Sequence, residues 1–181
     1  VNNVSFRYTP DGEDVLTDLS FKIRKGEYVG IVGSSGSGKS TLLKLLLGFE
    51  EPTKGKIYYD DKDIDSLDKR ELRKKFGVVL QDGQMISGTI YENIMITSGE
   101  VSEKQMKQII QMVGLEDDIA QMSMGVHTVI AEGSGTISGG QRQRILIARA
   151  IANTPTTHYF DAATRAQANV TPDTVCEELE R

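Results

Sequence analysis

Residues 33–40 read GSSGSGKS, with glycines at 33, 36 and 38 followed at once by Lys39 and Ser40. The spacing fits G-x-x-x-x-G-K-[ST], in which a loop turns its backbone N–H groups inward onto phosphate oxygens. Such a loop needs glycine wherever the backbone is crowded or left-handed. Gly33, Ser34, Ser35, Gly36, Ser37 and Gly38 would form the cradle. Lys39 would reach the β- and γ-phosphates, the Ser40 hydroxyl would ligate Mg²⁺, and Thr41 closes the set at the positive end of the helix that follows. A flexible Gly/Ser linker would not be framed by the apolar run EYVGIVG before it and by TLLKLLL after it.

That loop alone leaves open GTPases, small-molecule kinases, RecA-like motors and transporter ATPases. Residues 137–141, ISGGQ, followed directly by RQRILIARAI, separate them. Ser138, Gly139 and Gly140 stand where a helix begins, which is an anion-binding arrangement. Together with the loop far upstream, the segment resembles the signature of ABC-type ATPases, in which Leu more often than Ile precedes SGGQ. No N-K-x-D guanine-reading motif accompanies the loop.

The resemblance spans essentially the whole chain. It implies an α/β P-loop NTPase fold, with a RecA-like core, an antiparallel β subdomain and an inserted α-helical subdomain. It also implies ATP and Mg²⁺ as cofactors. Ser138, Gly139, Gly140 and Gln141 would cap the γ-phosphate held by the loop of a second copy, giving a head-to-tail, ATP-dependent dimer. Tyr8 matches the aromatic residue that stacks on adenine. Gln81, ending GVVLQ, matches the glutamine that touches Mg²⁺ or the attacking water. Asp161, after THYF, matches the carboxylate that holds Mg²⁺ through water. Glu132 matches the acidic position of a loop facing a membrane domain. Read without the family, Tyr8 is an ordinary strand tyrosine and Gln81 a polar residue at a strand end.

The phrases LLLGFEEPTKGKIYYDDKDI, LRKKFGVVLQ, YENI and MSMGVHTVIAEGSGTISGGQRQR are most similar to the ATPase halves of bacterial peptide and bacteriocin exporters, including the type that works with nitrile-hydratase-like leader peptides. On that footing the chain is expected to be an exporter's motor domain at the cytoplasmic face of the membrane, partnered by a transmembrane domain. Motors of lipid or multidrug exporters are the alternative cargo classes. Soluble ABC proteins of DNA repair or translation would carry coiled-coil insertions or tandem ATPase domains.

The family pattern fails at its end. Active members carry Glu after the Mg²⁺-coordinating Asp, as the general base on the attacking water. Here that position is Ala162, whose methyl group can neither accept a proton nor orient water. RAQA, residues 165–168, stands where SALD is usual, and neither His127 nor His158 is placed to meet a γ-phosphate. The chain as written is therefore expected to bind ATP and to turn it over poorly. That leaves a second functional class, a catalytically degenerate half that pairs with a competent partner as an ATP-dependent interaction module.

Positioning these residues requires particular elements. Val4–Tyr8 and Val15–Ile23 alternate apolar and polar around a TPDGED turn, predicting antiparallel strands. EYVGIVG is nearly continuous in apolar residues, predicting a strand buried on both faces. A helix is expected from Lys39 to about Leu47, stopped by Gly48. GKIYYDDKDIDSLD reads as strand and turn, KRELRKKF as a charged surface helix, and GVVLQ as a second buried strand. Met106, Ile109, Ile110 and Val113 fall on one face of a helix, as core packing. QRQRILIARAIAN reads as a helix and THYF as a short strand. One ATP-binding domain is expected over 1–181, with the core in 1–81 and 141–181 and the helical subdomain in 82–140. Thr171–Arg181 reads as a helix cut off by the chain end, so the fold is expected to lack its C-terminal part. The start at Val1, directly on a strand, likewise reads as a piece of something longer.

Composition agrees. The 181 residues are 38% hydrophobic with net charge −5, enough for one sizeable core and without a basic field for nucleic acid. A lone cysteine, Cys176, forms no internal disulfide, and no apolar run reaches a membrane span, so a reducing, cytoplasmic setting is expected. DKDIDS, residues 61–66, begins like a calcium loop but has Ser66 and Leu72 where Gly and Glu are required, so it reads as a solvated turn.

Overall fold

Both pairings of the first strand give up their regular register at residues with left-handed backbones. In the computed structural model, which describes residues 1–80, 83–99, 101–130 and 137–161, strand β1 (Asn2–Phe6) lies between β2 (Leu16–Leu19) and β3 (Lys54–Lys56) in an antiparallel sheet. Val4 pairs with Leu19 and Phe6 with Leu16, so β2 carries one residue more than β1 across this interval. Asp18 absorbs it at φ 48°, and its N–H donates to the buried Ser5 Oγ at 3.0 Å. On the other side Asn3 takes φ 48° opposite Gly55 at φ 78°. A Cβ on Gly55 would run into the Asn3 carbonyl, so only glycine fits there.

These strands belong to the first of two compact units, Val1–Arg73. Its helix α1 (Lys39–Leu46) buries Thr41, Leu42, Leu45 and Leu46. Gly48 at φ 66° ends it: Phe49 N–H reaches Lys44 O and Gly48 N–H reaches Leu45 O, a Schellman closure. Arg73 supplies a cation at this negative helix end, donating from Nε to Leu47 O (3.1 Å) and from Nη2 to Gly48 O (2.7 Å) while covering the Phe49 ring. Next in the chain, β4 (Tyr58–Tyr59) and β5 (Lys62–Asp63) form a two-residue hairpin. Asp60 (φ 48°) and Asp61 (φ 63°) are both left-handed, as a turn matching the strand twist demands. Asp63 then accepts from Asp65 N–H to start a short 3₁₀ turn (Ile64–Ser66) and pairs with Lys56. The acidic DKDIDS stretch thus serves a hairpin and a turn. Helix α2 (Lys69–Arg73) buries none of its residues, as its charged sequence predicts.

The second expected strand of this unit runs shorter than its alternation, and EYVGIVG is no strand at all. Residues 27–33 join no sheet, and Tyr28, Val29, Ile31 and Val32 are exposed, Val32 by 92%. A strand buried on both faces takes its hydrogen bonds from parallel neighbours on either side. The sheet of this unit is antiparallel, so it offers no pair of parallel neighbours between which the apolar run could lie.

The second unit is Lys74–Arg181. β6 (Phe76–Val79) and β9 (Thr157–Phe160) pair in parallel, Phe76 opposite Thr157 through Val79 opposite Phe160. Gly77 lies so close to α6 (Gly139–Ile151) that a Cβ would strike the Ala150 carbonyl. Between the paired strands come β7 (Gly88–Thr89), α3 (Ile90–Met95), α4 (Glu103–Met112), α5 (Glu116–Ala120), a 3₁₀ turn (Gly125–His127) and β8 (Val129–Ile130), which pairs with β7. Met106, Ile109, Ile110 and Val113 are buried together with Ile90, Ile94 and Ile145, so the predicted stripe is core. Each such side chain contributes roughly 1.5–3 kcal/mol on leaving water.

Helices α3, α4 and α6 each open on a complete capping box, Thr89 with Glu92, Ser102 with Gln105, and Ser138 with Gln141. In each, the first side chain accepts the N–H three residues on, and the later side chain accepts the N–H of the first.

Candidate nucleotide-binding site

The phosphate loop is built as its glycines require. Gly36 and Gly38 have φ 81° and 87°, and a Cβ on Gly38 would stand 2.8 Å from Leu16 Cδ2 and 3.1 Å from Val15 O. Gly38 is thus excluded from substitution both by its dihedral and by β2. Lys39 Nζ donates to Gly33 O (2.9 Å), Ser34 O (2.8 Å) and Ser37 Oγ (3.3 Å), so one ammonium gathers the loop around itself. Gly38, as N-cap, brings no side chain to the first turn of α1, whose N–H groups and dipole favour an anion. Ser40 is exposed and Thr41 buried in that turn. A glycine-rich loop gathered around an ammonium at a helix N-terminus is of the kind that suits polyphosphate.

Tyr8 stands beyond the end of β1 and is half exposed, at 53%. Its ring meets Phe6 edge-on at 4.9 Å, Lys44 Nζ lies 5.8 Å from its centroid, and its hydroxyl is 3.0 Å from Thr41 Oγ1. The same unit therefore links an aromatic platform directly to the first turn after the loop.

In the second unit, Ser138 accepts Gln141 N–H on Oγ (3.2 Å) and donates its own N–H to Gln141 Oε1 (2.7 Å). The signature is thus itself a capping box, legible as S-x-x-Q. Among the described residues, Gly139 has nothing within 4 Å of where a Cβ would stand, and Gly140 only Arg144 Nη1 at 3.7 Å and Ser138 Oγ at 4.0 Å. Behind this turn, Asp118 of α5 receives Gln141 Nε2 at 2.7 Å and Arg144 Nη2 at 2.6 Å. Nothing in the local sequence signals this partner.

Asn93 and Arg149 also escape sequence reading. The fully buried Asn93 side chain accepts from Ile86 N–H and Arg149 Nη2 and donates to Ile86 O and Thr89 O. Arg149 adds bonds from Nε to Asn93 O and from Nη1 to Gln84 O, and burial lowers its pKa. Segment 84–89 is thereby fastened to α6.

Asp161 follows β9, its N–H continuing the ladder to Val79 O at 2.9 Å. Gln81, Glu132 and Ala162 lie outside the described residues. His158 lies in β9, stacked on Phe160 at 6.1 Å; its Nδ1 is buried with no hydrogen-bond partner among the described residues, and burial lowers its pKa. His127 sits by the Tyr91 ring at 5.8 Å.

Residues 16–165 match the model of the ABC transporter family. The chain belongs to that family. Among curated relatives, this ABC transporter domain is 43% identical over 164 residues to the leukotoxin translocation ATP-binding protein LktB of Mannheimia glucosida and, at the same identity and length, to the exotoxin translocation ATP-binding protein PaxB of Pasteurella aerogenes. In each case 91% of the chain is aligned, and it spans 23% of the relative's length. Among solved structures, a bacterial Atm1-family ABC exporter with ATP bound superimposes with a TM-score of 0.89 at 34% identity, over 99% of this chain and 31% of the other. The fold is thus the α/β P-loop NTPase fold of an ABC ATP-binding domain. No helix among the described residues is long and apolar enough to cross a membrane.

Proposed function

We propose that the chain is the ATP-binding motor domain of an exporter, acting at the cytoplasmic face of a membrane on a transmembrane domain, with peptide or protein toxin as cargo. The observation that carries this reading is the phosphate loop, whose oxygens gather the Lys39 ammonium at the head of α1. Gly33–Gly38 would hold the phosphate chain by backbone N–H groups, Lys39 would set its charge against the β- and γ-phosphates, and Tyr8 would stack on adenine. Ser40, Gln81 and Asp161 would hold Mg²⁺, which when bound neutralises charge between the β- and γ-phosphates. Ser138, Gly139, Gly140 and Gln141 would cap the γ-phosphate of a second copy, so that two ATP molecules close a head-to-tail dimer. The cargo class draws support from relatives named as toxin translocation proteins.

Hydrolysis in this chain is weak because Ala162 occupies the place of the general base. This residue also favours the second reading, a degenerate half that works as an ATP-dependent module beside a competent partner. Phosphate release by the protein with Ala162 and with Ala162→Glu tests the assignment. Turnover only in the Glu form is expected. Equal turnover in both would place the base elsewhere and overturn the alignment beyond Pro155.

A further inference from the structure

We propose that Asp118 is a positioning residue for the signature turn, and that it acts by fixing which way the Gln141 amide faces. The inference rests on the reading above that this turn meets the γ-phosphate of a second copy. Gln141 has two ends and both are committed: Oε1 accepts Ser138 N–H at 2.7 Å, and Nε2 donates to Asp118 Oδ1 at 2.7 Å. A glutamine amide offers an acceptor at one end and donors at the other, so a carboxylate facing Nε2 leaves Oε1 no choice but to face Ser138. The other carboxylate oxygen receives Arg144 Nη2 at 2.6 Å, one turn further along α6. Asp118 thus ties Gln141, in the first turn of the helix, to Arg144 in the second by two charge-assisted bonds, each stronger than a neutral one.

The consequence concerns Ser138. Its hydroxyl accepts Gln141 N–H at 3.2 Å, so its proton is not spent in the cap and, on the reading above, would be donated to the incoming anion. Its N–H is taken up by Gln141 Oε1. Were Gln141 to turn over, Nε2 would face Ser138 N–H, donor against donor, and the capping box would open. Arg144 also screens the Asp118 charge from the helix N-terminus, so the carboxylate can order that turn without repelling phosphate there.

Asp118→Asn separates this role from packing, because it keeps the shape and removes one acceptor. The guanidinium then competes with Gln141 for one carbonyl oxygen, and the new amide NH₂ confronts Nε2. Three readouts on purified protein test the inference: hydrogen exchange at the Gln141 and Arg142 amides, affinity for ATP, and ATP-dependent self-association by sedimentation. We expect exchange at Gln141 to rise about tenfold, the factor for about 1.4 kcal/mol, with ATP affinity of the separate chain unchanged and association weakened. Unaltered exchange in Asp118→Asn would overturn the inference, as would loss of ATP affinity in step with association. Asp118→Glu, which restores both acceptors, should recover much of the protection; failure to do so while Asp118→Asn keeps it would also refute the role. Absence of ATP-dependent association in the parent protein overturns the dimer reading instead, and exchange at Gln141 still decides the action of Asp118 on the turn.

Discussion

Replacing Asn93 with Ala removes four side-chain hydrogen bonds at a position with no solvent exposure. Ile86 N–H, Ile86 O, Thr89 O and Arg149 Nη2 all lose a partner where water does not readily substitute. A net hydrogen bond contributes about 1 kcal/mol, and a stranded buried group costs about 1–3 kcal/mol. Some of these groups relax toward others nearby, so we expect a loss of about 3–5 kcal/mol, a large share of the 5–15 kcal/mol typical of a domain. For a chain of this size that lowers the melting temperature by about 6–20 °C. Thermal and urea unfolding followed by circular dichroism provide the measurement. Asn153→Ala is the control, since that side chain makes a solvent-facing bond to Lys74 O at 2.9 Å and should cost about 1 kcal/mol or less. If Asn93→Ala melts no lower than Asn153→Ala, the buried network does not hold segment 84–89 to α6 and the reasoning fails.

Gly38→Ala should weaken ATP binding at least tenfold and lower stability by about 1–3 kcal/mol, because a Cβ there meets both a left-handed backbone and β2; nucleotide titration and melting curves check both effects, and binding at the parental level would refute the steric account. His158 gives a pH effect of definite sign. Burial lowers its pKa in the folded state, so the unfolded chain binds the proton more readily. The stability from keeping this ring neutral is present above the unfolded pKa of about 6.5 and is lost as pH falls through the folded value. Melting temperatures between pH 8 and 5 should fall more steeply for the parent than for His158→Gln, and parallel profiles would exclude the histidine as their source.

What could be read from the residues was what neighbours along the chain decide. The α4 stripe from Met106 to Val113, the start of α1 at the phosphate loop and its stop at Gly48 all rest on periodicity or capping within a few residues. The placement of EYVGIVG is not legible in the same way, because an apolar run states only that it wants cover; which strands supply a ladder is a matter of topology. The two irregular pairings of β1 were invisible for a related reason, since Asp18 and Gly55 reveal their purpose only opposite Ser5 and Asn3. Asp118 reaches Gln141 across 23 residues and Arg149 reaches Asn93 across 56, distances at which a single sequence carries no pairing signal. The S-x-x-Q box inside SGGQ, by contrast, was there to be read and hidden by the more familiar functional reading of the same letters.

That box divides the signature into parts with different reasons to exist. Ser138 and Gln141 would serve a helix of any protein, because starting α6 cleanly is reason enough for them. The glycines between them have no such excuse. Each replaces a better helix former at a cost of up to about 1 kcal/mol, and among the described residues neither is forced by a left-handed backbone or by a close neighbour. A protein shaped by its own stability alone would carry alanines at 139 and 140. On the proposed reading, in which this turn meets the γ-phosphate of a second copy, the bare turn leaves room for close approach, and alanine at these two sites should stabilise the folded chain while weakening ATP-dependent association.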